Sequence, residues 1–436
     1  MINEVSFIHL SDIHFNKYSG DVYDVDSNLR NEIIRDINLN AKTVLKDVKG
    51  ILVCGDIAFS GQEQEYKTAQ TFLKEICSVL EIPETSVFCV PGNHDVDQNI
   101  PKRSTGLGLI QADIENAKTS VEIDNKLSQY LRDPLCEELI FGHINTYNTK
   151  FAGQYGCNIN TKNPVWQQEV TLNDNSVLCI HGMNSTIISS AADHLDKTKE
   201  RLMIIGEYQL PKRRDGMIYL TLCHHPPECW KDPDNTLKNK FDKRVSIQLY
   251  GHKHIQDISQ NGNALIIGCG ATQPIRSSDD WLPTYNWISL SIDSSKAERL
   301  LNIKVFPRIL DEIGDQFIAD SHSCGLGNCL EYSLKIDDAR VESDVKVEET
   351  IEEKFPQNAI KMNENIDLPG KNIDIKTLVY RFLNLPFLCR TQILSKLNLI
   401  DEKDEGINHV NLLEKIITRA KERNYLDDLW LEIERY

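Results

Sequence analysis

The residues with the strongest claim to chemistry are carboxylates, an asparagine and histidines that recur directly after short apolar runs. Ser11-Asp12-Ile13-His14 follows Val5 to Leu10, Gly55-Asp56 follows Ile51 to Cys54, and Pro91-Gly92-Asn93-His94-Asp95 follows Val87 to Val90. Farther along, His224-His225-Pro226-Pro227 follows Ile218 to Cys223, and Gly251-His252-Lys253-His254 follows Ile247 to Tyr250. Nearly continuous apolar runs of this length read as strands covered on both faces, and open α/β sheets bind ligands in the loops at their carboxyl ends. Asp12 and His14, like His252 and His254, are spaced by two, so an extended backbone aims both side chains of a pair the same way. Carboxylate, amide oxygen and imidazole donors together suit manganese, iron, zinc or nickel better than calcium. Gly55, Gly92 and Gly251 stand beside these donors, where a residue without a Cβ lets the chain turn sharply or approach a metal closely. A Gly-Asp turn or an Asn-His loop alone is an ordinary surface feature. Five such segments in order, each closing an apolar run, are not what a purely structural protein would carry.

The series Asp-x-His, Gly-Asp, Gly-Asn-His-Asp, His-His-Pro-Pro and Gly-His-x-His resembles the calcineurin-like metallophosphoesterase superfamily over residues 5 to about 305. That resemblance implies a two-sheet sandwich flanked by helices, with two divalent metals in the loops at one edge. By motif position, Asp12, His14 and His254 would hold the first metal, Asn93, His224 and His252 the second, and Asp56 would bridge them. The first histidine of the 224/225 pair is generally the ligand, which leaves His225 beside the site. His94 corresponds to the family's catalytic histidine, which is not a ligand and faces the substrate phosphate, and Asp95 would orient it. Two cations about 3.5 to 4 Å apart can share a water, lower its pKa into the neutral range and bind the phosphoryl oxygens while hydroxide attacks in line. Manganese is the favoured ion. An imidazole such as His94 would stabilise the transition state or protonate the departing alkoxide.

These loops need a frame. From residue 5 to about 290, short β-branched runs, Val177 to Ile180 and Ala264 to Ile267 among them, alternate with longer helix-like stretches. This is the mark of βαβ units and an α/β fold with a parallel or mixed sheet. The expected layout is a metallophosphoesterase domain over 1–308, with a helical insertion over about 98–165 that includes Ile110 to Tyr130. An acidic linker or irregular extension follows over 309–371, where Glu342 to Glu353 is mostly charged. A small all-helical domain over 372–436 closes the chain, with Leu413, Ile416, Ile417 and Ala420 on one face and Leu426, Leu429, Trp430 and Ile433 continuing it. Its segment from Leu385-Pro386 through Leu429-Trp430 resembles death-fold-like adaptor domains of prokaryotic conflict proteins. That implies recruitment by a protein partner, with antiphage defence as a setting, and self-association is the alternative.

Composition narrows the function classes. At 40% hydrophobic and 7% aromatic, the 436 residues form a globular protein, and a net charge of −17 argues against non-specific nucleic-acid coating. The start of the chain has no basic, then apolar, leader, and no run of eighteen apolar residues occurs, so export and membrane spanning are not expected. Twelve scattered cysteines fit a reducing cytoplasm, and His322-Ser-Cys324 with Cys329 is too loose for a zinc site. Outside the ligand series, His9 reads as a buried strand histidine, and His181, Asn184 and Ser185 as core or as neighbours of the ligands. Lys212-Arg213-Arg214 reads as a solvated turn, and Asp97 either as a neighbour of the ligands or as turn-forming. Trp281, Tyr285 and Trp287 read as core packing ahead of a base-stacking platform.

The substrate expectation is a nucleotide-like or other small phosphodiester or phosphomonoester. The His-His-Pro-Pro stretch and the extension Gly55-Asp56-Ile57-Ala58-Phe59-Ser60-Gly61 resemble the bacterial branch that includes class III cyclic-nucleotide phosphodiesterases. A DNA or RNA nuclease acting as a defence effector is the alternative, opposed by the charge and by the lack of a basic, aromatic track. An inactive scaffold would have lost ligands, and here every ligand position is filled.

Overall fold

The computed structural model describes residues 4–190, 193, 201–274, 282–293, 298–325 and 327–336, then 365–368, 371–374 and short stretches between 378 and 434. The chain divides into two compact units, one of residues 1–82 and 86–342, the other of 83–85 and 343–436.

Two mixed sheets make the first unit. In the first sheet β1 (Val5–Leu10), β2 (Val48–Val53) and β3 (Val87–Cys89) run parallel, and β10 (Thr284–Asp293) and β11 (Leu300–Leu310) extend the sheet antiparallel from β1. In the second sheet β4 (Trp166–Thr171) lies antiparallel on the edge of β5 (Val177–Gly182). Parallel to β5 run β6 (Met217–Leu222), β7 (Ile247–Tyr250) and β9 (Ala264–Gly268), with β8 (Asp257–Asn261) antiparallel at the far edge. Side chains alternate across β6. Ile218, Leu220 and Leu222 join the core shared with Leu10, Leu52 and Leu290 of the first sheet, while Tyr219 packs with Leu237 and Phe241 of the helix Thr236–Asp242. The strand is apolar on both faces because one faces the other sheet and the other a helix.

The helix Glu63–Leu80 shows how the sequence supports the site. Glu65 accepts hydrogen bonds from the backbone N–H groups of Ser60 and Gln62, which closes the first turn. Tyr66, Ala69, Leu73, Ile76 and Leu80 then recur at three- and four-residue spacing and are buried. Tyr66 reaches from this face to the Asp95 carboxylate, with its hydroxyl 3.0 Å away.

Between β3 and β4 the chain forms the helices Thr105–Glu115, Ser120–Arg132 and Pro134–Gly142, capped by the side chains of Ser104, Thr119 and Asp133. The helix-like stretch Ile110 to Tyr130 is thus two helices, broken where Thr119 caps the second. A larger difference follows Phe306. Instead of an irregular extension from 309, β11 continues to Leu310, and β12 (Phe317–Ala319) and β13 (Leu330–Lys335) both pair with it. The sheet therefore extends past the expected domain end at 308. β12 has only three residues, and β13 alternates exposed Glu331, Ser333 and Lys335 with its inward side chains, so neither shows as an apolar run.

In the second unit an antiparallel hairpin joins Asn365–Leu368 to Lys371–Asp374, and the helices His409–Glu422 and Leu426–Glu434 follow. Ile416, Ile417, Ala420, Leu429, Trp430 and Ile433 share one buried cluster with Leu378, Phe382 and Leu399. The Leu413 side chain, the segment from Glu342 to Glu353 and the Leu385-Pro386 pair lie outside the described residues. Among the described residues no helix is long and apolar enough to cross a membrane.

Candidate metal centre

The five loops at the carboxyl ends of β1, β2, β3, β6 and β7 meet at one edge of the sandwich. Backbone hydrogen bonds fasten the first two together: Asp12 N–H donates to the Gly55 carbonyl, and Ile13 and His14 N–H both donate to that of Asp56. Gly251 N–H donates to the His224 carbonyl, and His252 N–H to the Asp12 carboxylate at 3.1 Å. The side-chain donors converge accordingly. His14 Nε2 and His254 Nε2 stand 3.3 Å apart, and His254 Nε2 is 3.2 Å from Asp12 Oδ1. On the other side His224 Nε2 lies 3.0 Å from Asn93 Oδ1 and 3.3 Å from Asp56 Oδ2. Among the described residues, every group of three or more close potential ligands belongs to this cluster: Asp12 with His14 and His254, Asp12 with Asp56 and His224, His14 with Asp56 and His94, and His224 with His225 and His252.

Convergence is reached by a different route from the extended backbone that the spacing suggested. Asp12, His14, Asp56, His252 and His254 all have φ between 49° and 70°, in the left-handed region. A non-glycine residue there costs of order 1–3 kcal/mol, and such strain persists only where surrounding structure enforces it. Five such residues in one site mark loops whose backbone is strained to bring these side chains together. Glycines let the loops interlock. A Cβ on Gly92 would stand 2.1 Å from Asp56 Oδ1, and one on Gly251 would stand 1.9 Å from Ser11 Oγ.

His224 and His94 are oriented through their Nδ1 atoms. His224 Nδ1–H donates to the Cys54 carbonyl at 2.8 Å, which aims Nε2 at Asn93 and Asp56. His94 Nδ1–H donates to the Phe59 carbonyl at 2.8 Å, and its own backbone N–H donates to Asp56 Oδ1 at 2.8 Å. His225 is buried, tied through Nδ1 to Ser185 Oγ at 2.7 Å and packed against the His252 ring at 4.3 Å. Asp95 is fully buried. Its carboxylate accepts from the N–H groups of Ile57, Ala58 and Gly92 and from Tyr66 Oη, so it pins the Asp56 loop to the Asn93-His94 turn.

Comparison with known proteins accords with this geometry. Residues 5–256 match the calcineurin-like phosphoesterase family. The chain belongs to that family. Residues 374–435 match the GTPase-associated adaptor domain. No curated protein matches. Similar solved structures include a single-mutant Vps29 from Entamoeba histolytica, with 10% identity, 76% of this chain and 99% of that chain covered and a TM-score of 0.30. A putative 5'-nucleotidase from Staphylococcus aureus, in complex with alpha-ketoglutarate, has 13% identity, 67% and 52% coverage and a TM-score of 0.33. GAP50 of Plasmodium has 11% identity, 77% and 90% coverage and a TM-score of 0.37.

Charge in this phosphoesterase site fits divalent cations. Asp12 and Asp56 are both essentially buried, where an isolated carboxylate is costly. Burial alone would raise the Asp56 carboxyl, but the imidazoles of His224, His94 and His14 hold it well below the usual range. The reciprocal effect lifts His224 to about 9 against its burial, through Asp56 and Asp12. Burial takes His14 down to about 4, against the pull of Asp56. Asp95, also buried and beside Asp56, is raised to about 7. Two buried carboxylates facing imidazole nitrogens form a donor set that a cation would satisfy better than shared protons.

The remaining candidates fall elsewhere in the phosphoesterase. His181 is held between Gln167 and the Gln209 carbonyl, and Asn184 bonds Thr186 and Gln209, so these residues are structural neighbours of Ser185. His9 is fully buried in β1, with Nδ1 3.4 Å from Asn286 Nδ2. Tyr285 and Trp287 pack in the core, and Trp281 lies outside the described residues. Arg213 and Arg214 line a cavity of 640 Å³ at the amino ends of β6 and β7, away from the ligand loops, where Arg214 pairs with Glu169. His322, Cys324 and Cys329 form no close ligand group among the described residues. Sequence reasoning missed the carbonyls of Cys54 and Phe59, which any residue type could supply. It also missed Thr272 and Gln273, whose N–H groups donate to the Ser11 and Asp12 carbonyls. Their signal was available, since they follow the apolar run of β9 as the ligands follow theirs.

Proposed function

We propose that the chain is a dinuclear metal-dependent phosphoesterase, with Asp12, His14 and His254 around one ion, Asn93, His224 and His252 around the other, and Asp56 between them. The observation that carries this reading is the position of Asp56, whose carboxylate lies within ligand range of His14 on one side and of His224 on the other. Two bound divalent cations, manganese favoured, would supply an activated water and charge compensation for the phosphoryl oxygens. The protein's own part is proton placement. With His94 Nδ1–H held by the Phe59 carbonyl, the proton available for transfer sits on Nε2, from where the imidazolium can pass it to the departing oxygen. Asp95 acts as a positioning residue through the backbone. Proximity alone would also admit His94 and His225 as ligands. The family pattern and the Ser185 anchor of His225 support other roles for them.

The substrate is proposed to be a nucleotide-like phosphoester, diester before monoester, and the adaptor match over 374–435 suggests docking to a GTPase partner. A panel of monoester, diester, cyclic nucleotide, dinucleotide and single-stranded DNA, run with added manganese, tests the substrate class. Two variants test the site. Asp56→Asn is expected to lose both bound metal and activity, whereas His94→Ala keeps two metals per chain by elemental analysis and loses turnover by roughly 10²–10⁴-fold. Normal rates in His94→Ala would remove its catalytic role.

A further inference from the structure

One aromatic side chain stands half-exposed against the rings of the candidate metal centre. Phe59 is 43% exposed, and among the described residues no other phenylalanine is exposed. Its ring is placed against the site, 5.3 Å from the His94 ring at a 40° tilt and 6.3 Å from the His14 ring at 72°. The backbone is fixed on both sides, because Phe59 N–H donates to the Phe15 carbonyl at 2.8 Å and its own carbonyl holds His94 Nδ1. One residue thus orients the imidazole that faces the phosphate and sets an aromatic wall beside it. Lys253, between the two histidines of the last loop, is turned to Glu228 at 2.6 Å.

We propose that Phe59 is the specificity residue of this site and that its free face stacks a planar aromatic group of the phosphoester, a nucleobase foremost. The inference rests on the phosphoesterase reading and names what that site selects. A phosphate lying against His94 has its esterified group beside Phe59, and a nucleoside's sugar bridges from phosphate to stacked base. Stacking is tolerant of base identity, since every base presents a π-face. Discrimination is therefore expected between aromatic and non-aromatic esters, and little among bases.

Calorimetric titration of the manganese-loaded full-length protein with adenosine monophosphate and, separately, inorganic phosphate decides the matter. It is run for wild type, Phe59→Ala and Phe59→Trp. Phe59→Ala is expected to lose on the order of tenfold more affinity for the nucleotide than for phosphate, and Phe59→Trp to restore the nucleotide. Equal losses for both ligands, no change for either, or a wild type that prefers phosphate would each overturn the stacking role. Turnover of bis(4-nitrophenyl) phosphate by wild type is measured alongside. Its absence would strike at the phosphoesterase reading, while the binding comparison judges Phe59.

Discussion

Asp56 and Gly92 show how tightly the site is built at the residue scale. Gly92 has φ −105° and ψ 179°, a conformation alanine adopts freely, so its lack of a side chain is not about backbone freedom. The reason is space, because an added Cβ would meet Asp56 Oδ1 at 2.1 Å and Asp56 N at 2.4 Å. Gly92→Ala should therefore displace the proposed bridging carboxylate. A misplacement near 1 Å can cost about 10²-fold in rate, so the expected result is a loss of that size with reduced metal content by elemental analysis. Gly108→Ala, where a Cβ meets nothing within 4 Å, serves as the control and should change neither. Unchanged activity in Gly92→Ala would mean that Asp56 has room to move and is not held between two ions. The candidate ligands were legible in the sequence because each stands after an apolar run. The left-handed φ values of Asp12, His14, Asp56, His252 and His254 were not, since aspartate and histidine visit that region more than most residues yet far more often lie elsewhere, and the carbonyl anchors from Cys54 and Phe59 carry no side-chain signature.

At the scale of elements, the helix Ser27–Asp36 is locked to the first sheet by one buried charge pair. Arg308 on β11 donates through Nε and Nη2 to the two oxygens of Asp36, at 2.9 and 2.6 Å, and Tyr285 Oη on β10 donates to the same carboxylate at 2.5 Å. The guanidinium also lies 4.5 Å from the Trp287 ring centroid. Removing one partner leaves the other charge buried and unpaired, which costs roughly 3–5 kcal/mol. Asp36→Ala should accordingly lower Tm by roughly 5–10 °C, measured by circular dichroism with metal present. Replacing both charges, Asp36→Leu with Arg308→Met, should recover a good part of that loss. A double variant no more stable than Asp36→Ala alone would contradict this account. The parallel strands that deliver ligands could be read from Val5 to Leu10 and Ile247 to Tyr250, whose limits match β1 and β7. The strands β10 to β13 were harder. Asn286, Ser289 and Ser291 break the apolar run of β10 although all are buried, with Ser289 Oγ bonded to Ser6 Oγ at 2.7 Å.

For the whole molecule, the net charge of −17 and the ligand set bear on the same question. Two buried carboxylates at one edge of a strongly acidic protein add to its self-repulsion, and cations that bind only the folded site relieve it. Linkage gives the size: free metal at 100 times its Kd adds about 2.7 kcal/mol of stability per site, hence about 5 kcal/mol for two. Each unit has its own apolar core, one built on the two sheets and the other on Leu378, Ile417 and Trp430, so only the unit that holds the ligands should gain. A calorimetric scan of the chelator-stripped protein, repeated with excess manganese, should move the larger transition up by several degrees and leave that of residues 343–436 in place. In Asp56→Asn the shift should shrink to well under half, because losing a shared ligand weakens both ions at once. A shift that persists undiminished in Asp56→Asn would place the bound manganese elsewhere on the acidic surface. Proportional loss of half would instead describe two independent sites with no bridge between them.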